Sequence, residues 1–226
     1  MRGPHNLLRL VRTGATLERT GAAQEIFDAM DAPPLVRGAV RILGWPFQWL
    51  GYRGNPSEPP TVRALTALGP AYIKFGQIFS TRPDIIGTDL ANQLRVLQDK
   101  LPAFEVKTAK ASIAQELGQP VEEIFSEFSD PIAAASIAQV HQARLKTGEK
   151  VAVKVLRPGI EKAFRTDIDA FYFAASMIEL LSPSSRRLRP TDVIGHFEGV
   201  VLGELDLRLE RASASEFGAN PAKDAG

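Results

Sequence analysis

Around Asp130 and Pro131 the hydrophobic pattern of this chain changes period. Upstream, apolar residues recur at helical intervals. TVRALTAL and AYIKFGQIFSTR flank Gly69-Pro70, RPDIIG interrupts the run, DLANQLRVLQDKL resumes it, and residues 104–128 continue as short helices. From Ile132 the pattern turns strand-like: IAQVHQARL, a TGEK turn and VAVKVL make a β-hairpin that RPGI ends. Helix returns over 160–181, and a long amphipathic helix is predicted over 190–218, where Val193, Phe197, Val200, Val201, Leu205 and Leu209 recur every three or four positions. A helical run followed by a short antiparallel hairpin and more helix constrains the chain to an α+β architecture.

The remaining segments divide the chain further. Residues 5–50 read as two helices separated at DAPP (31–34), and GYRGNPSEPP (51–60) is a turn-rich linker. The expected organisation is an N-terminal helical part over 1–60, a helical unit over 61–130 and a sheet-containing part over 131–226. With 226 residues and 44% hydrophobic content, the chain can bury a real core as one large domain or two small ones.

Bulk composition excludes several functions. Its 27 basic and 26 acidic residues leave a net charge of +1, so no global field draws it to nucleic acid and any anion site must be local. Cysteine is absent, which rules out disulfides, thiolate zinc sites and a cysteine nucleophile, and the three scattered histidines offer no metal cluster. No stretch reaches the roughly 18–20 apolar residues that span a bilayer. The nearest, AVRILGWPFQWLGY (39–52), contains Arg41, Pro46 and Gln48 and is expected to be a buried core helix broken at Pro46; its two tryptophans leave a membrane interface as the alternative. Residues 1–20 carry four arginines and no acid before Glu18, consistent with an ordinary N-terminal helix, a basic surface helix or a transit peptide.

The hairpin carries the chemistry. Protein-kinase folds open with GxGxxGxV on a first hairpin, followed by a lysine in a VAIK-like strand that contacts the nucleotide phosphates. Here VAVK places Lys154 in that strand. Counting back from Val140 as the valine of the loop signature, the three glycine positions fall on Ala133, Ala135 and Ala138. Glycine normally lets the backbone approach phosphate and adopt positive φ, so a methyl at each position should narrow the loop without abolishing nucleotide binding. VAVK alone is a weak signal, since a buried strand ending in an outward lysine is common; the alanine-rich turn and TGEK at kinase-like spacing strengthen it.

Three motifs together resemble one family. PIAAASIAQVH with VAVKV, LGPAYIKFGQIFSTRPDI (68–85) and ELDLRLE (204–210) are similar, in order, to the UbiB family of atypical, protein-kinase-like proteins of ubiquinone biosynthesis. The resemblance implies a protein-kinase-like small lobe, an antiparallel sheet plus helices, preceded by a helical extension that folds over the active site. The family's K-x-G-Q signature corresponds to Lys74, Phe75, Gly76 and Gln77, and its alanine-rich loop to Ala133, Ala134, Ala135 and Ser136. Lys74 and Gln77, three apart, share a helix face; without the family they read as a lysine and a glutamine on the wet side of a helix.

The family's E-x-D pair falls on Glu204 and Asp206, and the glutamate that pairs with Lys154 falls on Glu210. On a continuous helix Glu204 and Asp206 stand about 200° apart, so both can face one ligand only across a local break. A solvated acidic stripe partnered by Arg208 and Arg211 is the alternative. The resemblance assigns nucleotide binding to Ala133, Ala134, Ala135, Ser136, Lys154 and Glu210, and gating to Lys74, Gln77, Glu204 and Asp206. The implied cofactor is ATP or ADP with Mg²⁺. Implied partners are quinone-biosynthesis proteins or lipid precursors, and a membrane surface, with association at the bacterial inner membrane.

Phosphoryl transfer also needs a catalytic-loop Asp and Asp or Asn ligands for Mg²⁺. No HRD-like or DFG-like segment occurs here, and in the family these parts follow the region matched. The expectation is therefore a small lobe without the large lobe, inactive by itself, with metal ligands lying further along the family's sequence. Such a piece is expected to expose apolar surface and to be marginally stable or self-associating. Two functions stay open: an ATP-dependent kinase-like enzyme or ATPase, and a non-catalytic, pseudokinase-like scaffold that binds lipid or partner proteins under nucleotide control.

Overall fold

The computed structural model describes residues 5–29, 34–98, 103–181, 187 and 189–208. They form two compact units, Met1–Ala170 and Phe171–Gly226.

The first unit begins with helices. These are α1 (His5–Thr20), α2 (Ala22–Ala29), α3 (Pro34–Gly44) with a 3₁₀ continuation (Trp45–Leu50), α4 (Pro60–Leu68), α5 (Pro70–Ser80), α6 (Pro83–Ile86) and α7 (Thr88–Leu94), which runs into a second 3₁₀ turn (Arg95–Gln98). Thus the described residues between 5 and 50 hold three helices and a 3₁₀ turn, where the sequence suggested two helices. Prolines stand at the starts of α4, α5 and α6, where their missing N–H costs nothing because no carbonyl precedes it. Helices α1, α4 and α5 bury Ala15, Val62, Ala64, Leu65, Ala71 and Ile73. Tyr72, also buried, shares a 2.6 Å hydrogen bond with Thr13 of α1, and burial pushes its phenol up to about 12.

The segment 39–52 overturns the expectation of a buried helix. Trp45 is 73% exposed, Trp49 74%, Ile42 74% and Leu35 87%. Its far end is nevertheless held tightly. A Cβ on Gly51 would lie 2.4 Å from the Ala15 carbonyl oxygen and 2.7 Å from the Thr16 nitrogen, so only glycine lets the chain cross α1 there. Tyr52 N–H donates to Thr16 Oγ1 at 3.0 Å, and Arg19 donates to the Gly51 carbonyl at 2.9 Å. Amphipathic periodicity reports that a helix has an apolar face; it does not report whether another element covers that face.

Helices α8 (Val106–Leu117) and α9 (Val121–Ile124) precede a three-stranded antiparallel sheet of order β1-β2-β3: β1 (Phe125–Ala134), β2 (Ala138–Leu145) and β3 (Lys150–Leu156). The sheet starts at Phe125, earlier than expected, so residues 125–128 are strand and not helix. Their alternation is hidden because β1 is irregular, with register shifts at Phe125/Glu127, Phe128/Pro131 and Pro131/Ala133. As an edge strand β1 tolerates Pro131, which has no N–H to donate. The TGEK turn forms as read: Gly148 adopts φ 94°, its N–H donates to the Leu145 carbonyl at 2.8 Å, and Leu145 N–H donates to the Glu149 carbonyl at 2.8 Å.

Register sorts the sheet's faces. Ala143, Val151, Val153 and Val155 point to one side, where Phe125, Phe128, Ala109 and Ile113 pack with them into an apolar core under α8. Ala138, Val140, Gln142, Ala152, Lys154 and Leu156 point to the other.

Helix α10 (Ile160–Leu181) follows, as expected. In the first unit its buried Asp167 forms an ion pair with Arg9 of α1, and burial pushes the Asp167 carboxyl up although Arg9 opposes the shift. Within the second unit, α10 packs on α11 (Pro190–Leu205). Phe171 meets Phe197 with ring centroids 5.9 Å apart, the Tyr172 hydroxyl donates to Glu198 at 2.7 Å, and Thr191 N–H donates to Glu179 at 3.0 Å. Helix α11 is interrupted at Asp206, which leaves helical geometry (φ −84°, ψ 86°) and whose carboxylate accepts the Arg208 backbone N–H at 3.1 Å; Leu207 and Arg208 are helical again. Residues 209–218 lie outside the described residues.

Candidate functional site: the alanine turn and Lys154

Lys154 sits in β3 directly opposite Val140 of β2, on the sheet face turned away from the apolar core. Its side chain is half-buried. The two residues that the sequence paired by analogy, the loop valine and the strand lysine, are thus cross-strand neighbours.

The alanine-rich segment joins β1 to β2. Ala133 and Ala134 are its last strand residues, in register with Val140 and Gln139, and Ala135 N–H closes the turn onto the Ala138 carbonyl at 2.8 Å. Ser136 and Ala138 are buried. Among the described residues Arg189 is the only non-glycine with positive φ. The turn therefore uses backbone geometry that any L-residue adopts, which is the physical reason alanine serves where a kinase loop uses glycine.

The KxGQ helix reaches this turn. Gln77 of α5 donates through Nε2 to the Leu97 carbonyl at 2.7 Å, which orients the amide so that its Oε1 accepts from the Ser136 hydroxyl at 3.5 Å, a long hydrogen bond. Gly76 packs closely beside it: a Cβ there would lie 2.5 Å from Leu97 Cδ1 and 2.7 Å from Leu65 Cδ1, so those leucine ends would have to shift. Lys74, one turn earlier on α5, is half-buried.

Four residues that sequence reasoning passed over fasten the same turn. Arg157, just after β3, donates to the Ala135 carbonyl through Nε (3.3 Å) and Nη2 (3.2 Å), and its backbone N–H donates to Ile137 at 2.9 Å. Its guanidinium lies 5.6 Å from the Phe104 ring centroid, and burial lowers its pKa. Phe104 is clamped in turn by fully buried Gln139, whose Oε1 accepts from Phe104 N–H at 2.9 Å and whose Nε2 donates to the Phe104 carbonyl at 3.2 Å. The second Nε2 hydrogen goes to His141 Nε2 at 2.9 Å, and His141 Nδ1 lies 2.9 Å from the Ser129 carbonyl. Because the amide presents only hydrogens to Nε2, that nitrogen accepts and Nδ1 carries the proton to Ser129. The only sequence signal was a polar pair, Gln139 and His141, alternating with apolar neighbours.

Glu204 and Asp206 belong to the second unit. Glu204 is half-buried near the end of α11, and Asp206, exposed, stands at the break where the helix stops. The E-x-D pair thus straddles the interruption that two residues so spaced require before both can face one ligand. Glu210 and Arg211 lie outside the described residues. Among the described residues no group of three His, Asp or Glu side chains converges to hold a metal ion, and no helix is long and apolar enough to cross a membrane.

Residues 96–226 match the ABC1 atypical kinase-like domain. The chain belongs to this family. Its similarity to curated relatives extends further upstream: it is 42% identical over 218 residues to the probable protein kinase UbiB of Azotobacter vinelandii, covering 94% of this chain and 40% of that protein. Against the probable protein kinase UbiB of Pseudomonas aeruginosa strain LESB58 it is 40% identical over 218 residues, 94% of this chain and 41% of the relative. Against that of Marinobacter nauticus it is 48% identical over 158 residues, 70% of this chain and 29% of the relative. The chain thus spans about 40% of the length of the first two relatives, and the mixed α+β architecture, an antiparallel sheet with helices, is that of the family's kinase-like small lobe.

Lys154 thus sets a cation on the sheet face away from the core, the charge an anionic group such as a phosphate would need, beside a turn held by Gln77, by Arg157 and by its own Ala135–Ala138 hydrogen bond.

Proposed function

We propose that this chain carries the nucleotide-gripping part of a UbiB-type, ATP-dependent atypical kinase or ATPase that supports ubiquinone biosynthesis at a membrane. The reading rests on one observation above the others: Lys154 lies in register with Val140 on the sheet face opposite the core, next to an alanine turn that the KxGQ helix touches through Gln77 and Ser136. Bound ATP or ADP with Mg²⁺ supplies the phosphoryl chemistry. Lys154 contacts the phosphates, as the strand lysine does in kinases, with Glu210 as its carboxylate partner. The turn Ala133–Ser136 covers them, and the methyls of Ala133 and Ala135 tune which nucleotide is preferred. Lys74, Gln77, Glu204 and Asp206 control access.

The test is a thermal-shift titration with ATP and ADP in the presence of Mg²⁺. Wild type should gain about 2.7 kcal/mol at a hundred-fold excess of ligand over Kd, and Lys154→Ala should lose most of that gain. Equal shifts in the two proteins remove Lys154 from the site. Binding without phosphate release by the longer, family-length protein would favour the nucleotide-switched scaffold over the enzyme.

A further inference from the structure

The exposed ridge formed by α3 and its 3₁₀ continuation plays no part in the site described above. On α3 Leu35 and Ile42, seven residues apart, share a face, and in the 3₁₀ continuation Trp45 and Trp49 stand about 120° from one another; all four are exposed. Phe47 and Tyr52 add further exposed aromatic surface.

This ridge is built in. Its end is locked to α1 by the Gly51 crossing, by Tyr52 N–H on Thr16 and by Arg19 on the Gly51 carbonyl. The fold fixes the backbone at this end while leaving the indoles outside.

Charge indicates the occupant. From Ala32 to Ser57 there is no acidic residue, and Arg37, Arg41 and Arg53 give the stretch a local charge of +3, in a chain whose net charge is +1. Arg37 is engaged with Asp28; Arg41 and Arg53 are exposed. Tryptophans with an apolar body and a polar N–H, flanked by arginines on a short amphipathic helix, match the boundary between acyl chains and anionic headgroups. We infer that the Leu35–Trp49 ridge is an interfacial contact for an anionic lipid surface. The inference does not depend on nucleotide binding.

The protein's two tryptophans both lie in the ridge, so tryptophan emission of the 226-residue chain reports on it alone. Phosphatidylcholine vesicles with and without phosphatidylglycerol are the probe. Anionic vesicles should shift the emission to shorter wavelength and carry the protein down on sedimentation. Trp45→Ala/Trp49→Ala, checked by circular dichroism for unchanged melting, should remain in the supernatant. Arg41→Gln and Arg53→Gln should each weaken anionic-vesicle binding about five-fold and leave any binding to pure phosphatidylcholine unchanged. The inference is overturned by unshifted emission without sedimentation, or by full sedimentation of the folded double-tryptophan variant. Emission already blue and quencher-protected without vesicles, reverting on dilution, overturns it in favour of a second copy of the chain.

Discussion

Val140 and Lys154 face each other across β2 and β3, in register and on one face of the sheet. A carboxylate at position 140 would therefore sit within reach of the Lys154 ammonium. Such cross-strand pairs contribute roughly 0.2–1 kcal/mol. Val140→Glu should leave the melting temperature of the unliganded protein unchanged or slightly raised while suppressing the nucleotide-induced shift. Gln142→Glu, on the same face but opposite Ala152, should suppress it less. Calorimetry with and without ATP and Mg²⁺ distinguishes the two.

Gly76 is a packing residue, with Leu97 and Leu65 where its Cβ would be. Gly76→Ala gains about 1 kcal/mol of helix propensity but overpacks a site where added volume costs about 1–3 kcal/mol. Net destabilisation of about 1 kcal/mol is expected in urea unfolding. In the double variant with Leu97→Ala the two losses should not add, since the smaller side chain makes room for the methyl. Strict additivity would contradict the contact.

Gln139, itself fully buried, satisfies three polar groups at once: the Phe104 N–H and carbonyl, both part-buried, and buried His141 Nε2. Gln139→Leu should cost roughly 3 kcal/mol, because partners left unsatisfied keep their desolvation penalty. It should also increase hydrogen exchange at the Phe104 amide. A loss under about 0.5 kcal/mol, the size of an ordinary surface change, would mean that the network contributes nothing.

Tyr72 makes the protein sensitive to alkali. Burial is the main cause of its raised pKa, with the Asp167 charge adding to it. Below pH 10 the phenol is neutral in both the folded and the unfolded chain, and its contribution is complete. As pH rises from about 10 to 12 the unfolded chain ionises first, so roughly 2–3 kcal/mol of stability is lost. Tyr72→Phe should begin about 1 kcal/mol less stable at pH 8, having lost the Thr13 hydrogen bond, and should show a shallower decline between pH 10 and 12. Parallel slopes would place the titrating group elsewhere.

Parts of this architecture could be read directly. The β2–β3 hairpin was legible because its turn glycine and β-branched density are local signals, and Lys154 because its strand carries them. Helices α4 and α5 were legible because proline and glycine punctuate them. What failed had non-local causes. The bulges around Pro131 erased the two-residue period of β1. Gln139 and His141 would be placed by polarity on a wet face, yet they are the most buried side chains of β2, since their partners are a backbone segment 35 residues away in sequence and a strand carbonyl. Trp45 and Trp49 read as core because aromatic content usually means burial. Asp206 interrupts a helix that the apolar spacing would carry straight through, with one hydrogen bond to a neighbouring backbone N–H. Of the candidate site, the motifs pointed to Lys154, Gln77 and Ser136; the fastening by Arg157 and Phe104 came from the three-dimensional arrangement alone.

The Gln77 amide holds two different parts of the molecule with its two ends, the Leu97 carbonyl with the nitrogen and the Ser136 hydroxyl with the oxygen. The nitrogen end is the shorter and stronger hold. A ligand that lifts the turn must either break the weak oxygen contact or rotate the amide against its stronger anchor. The alanine turn and the 3₁₀ segment are thereby tied to each other through a single side chain.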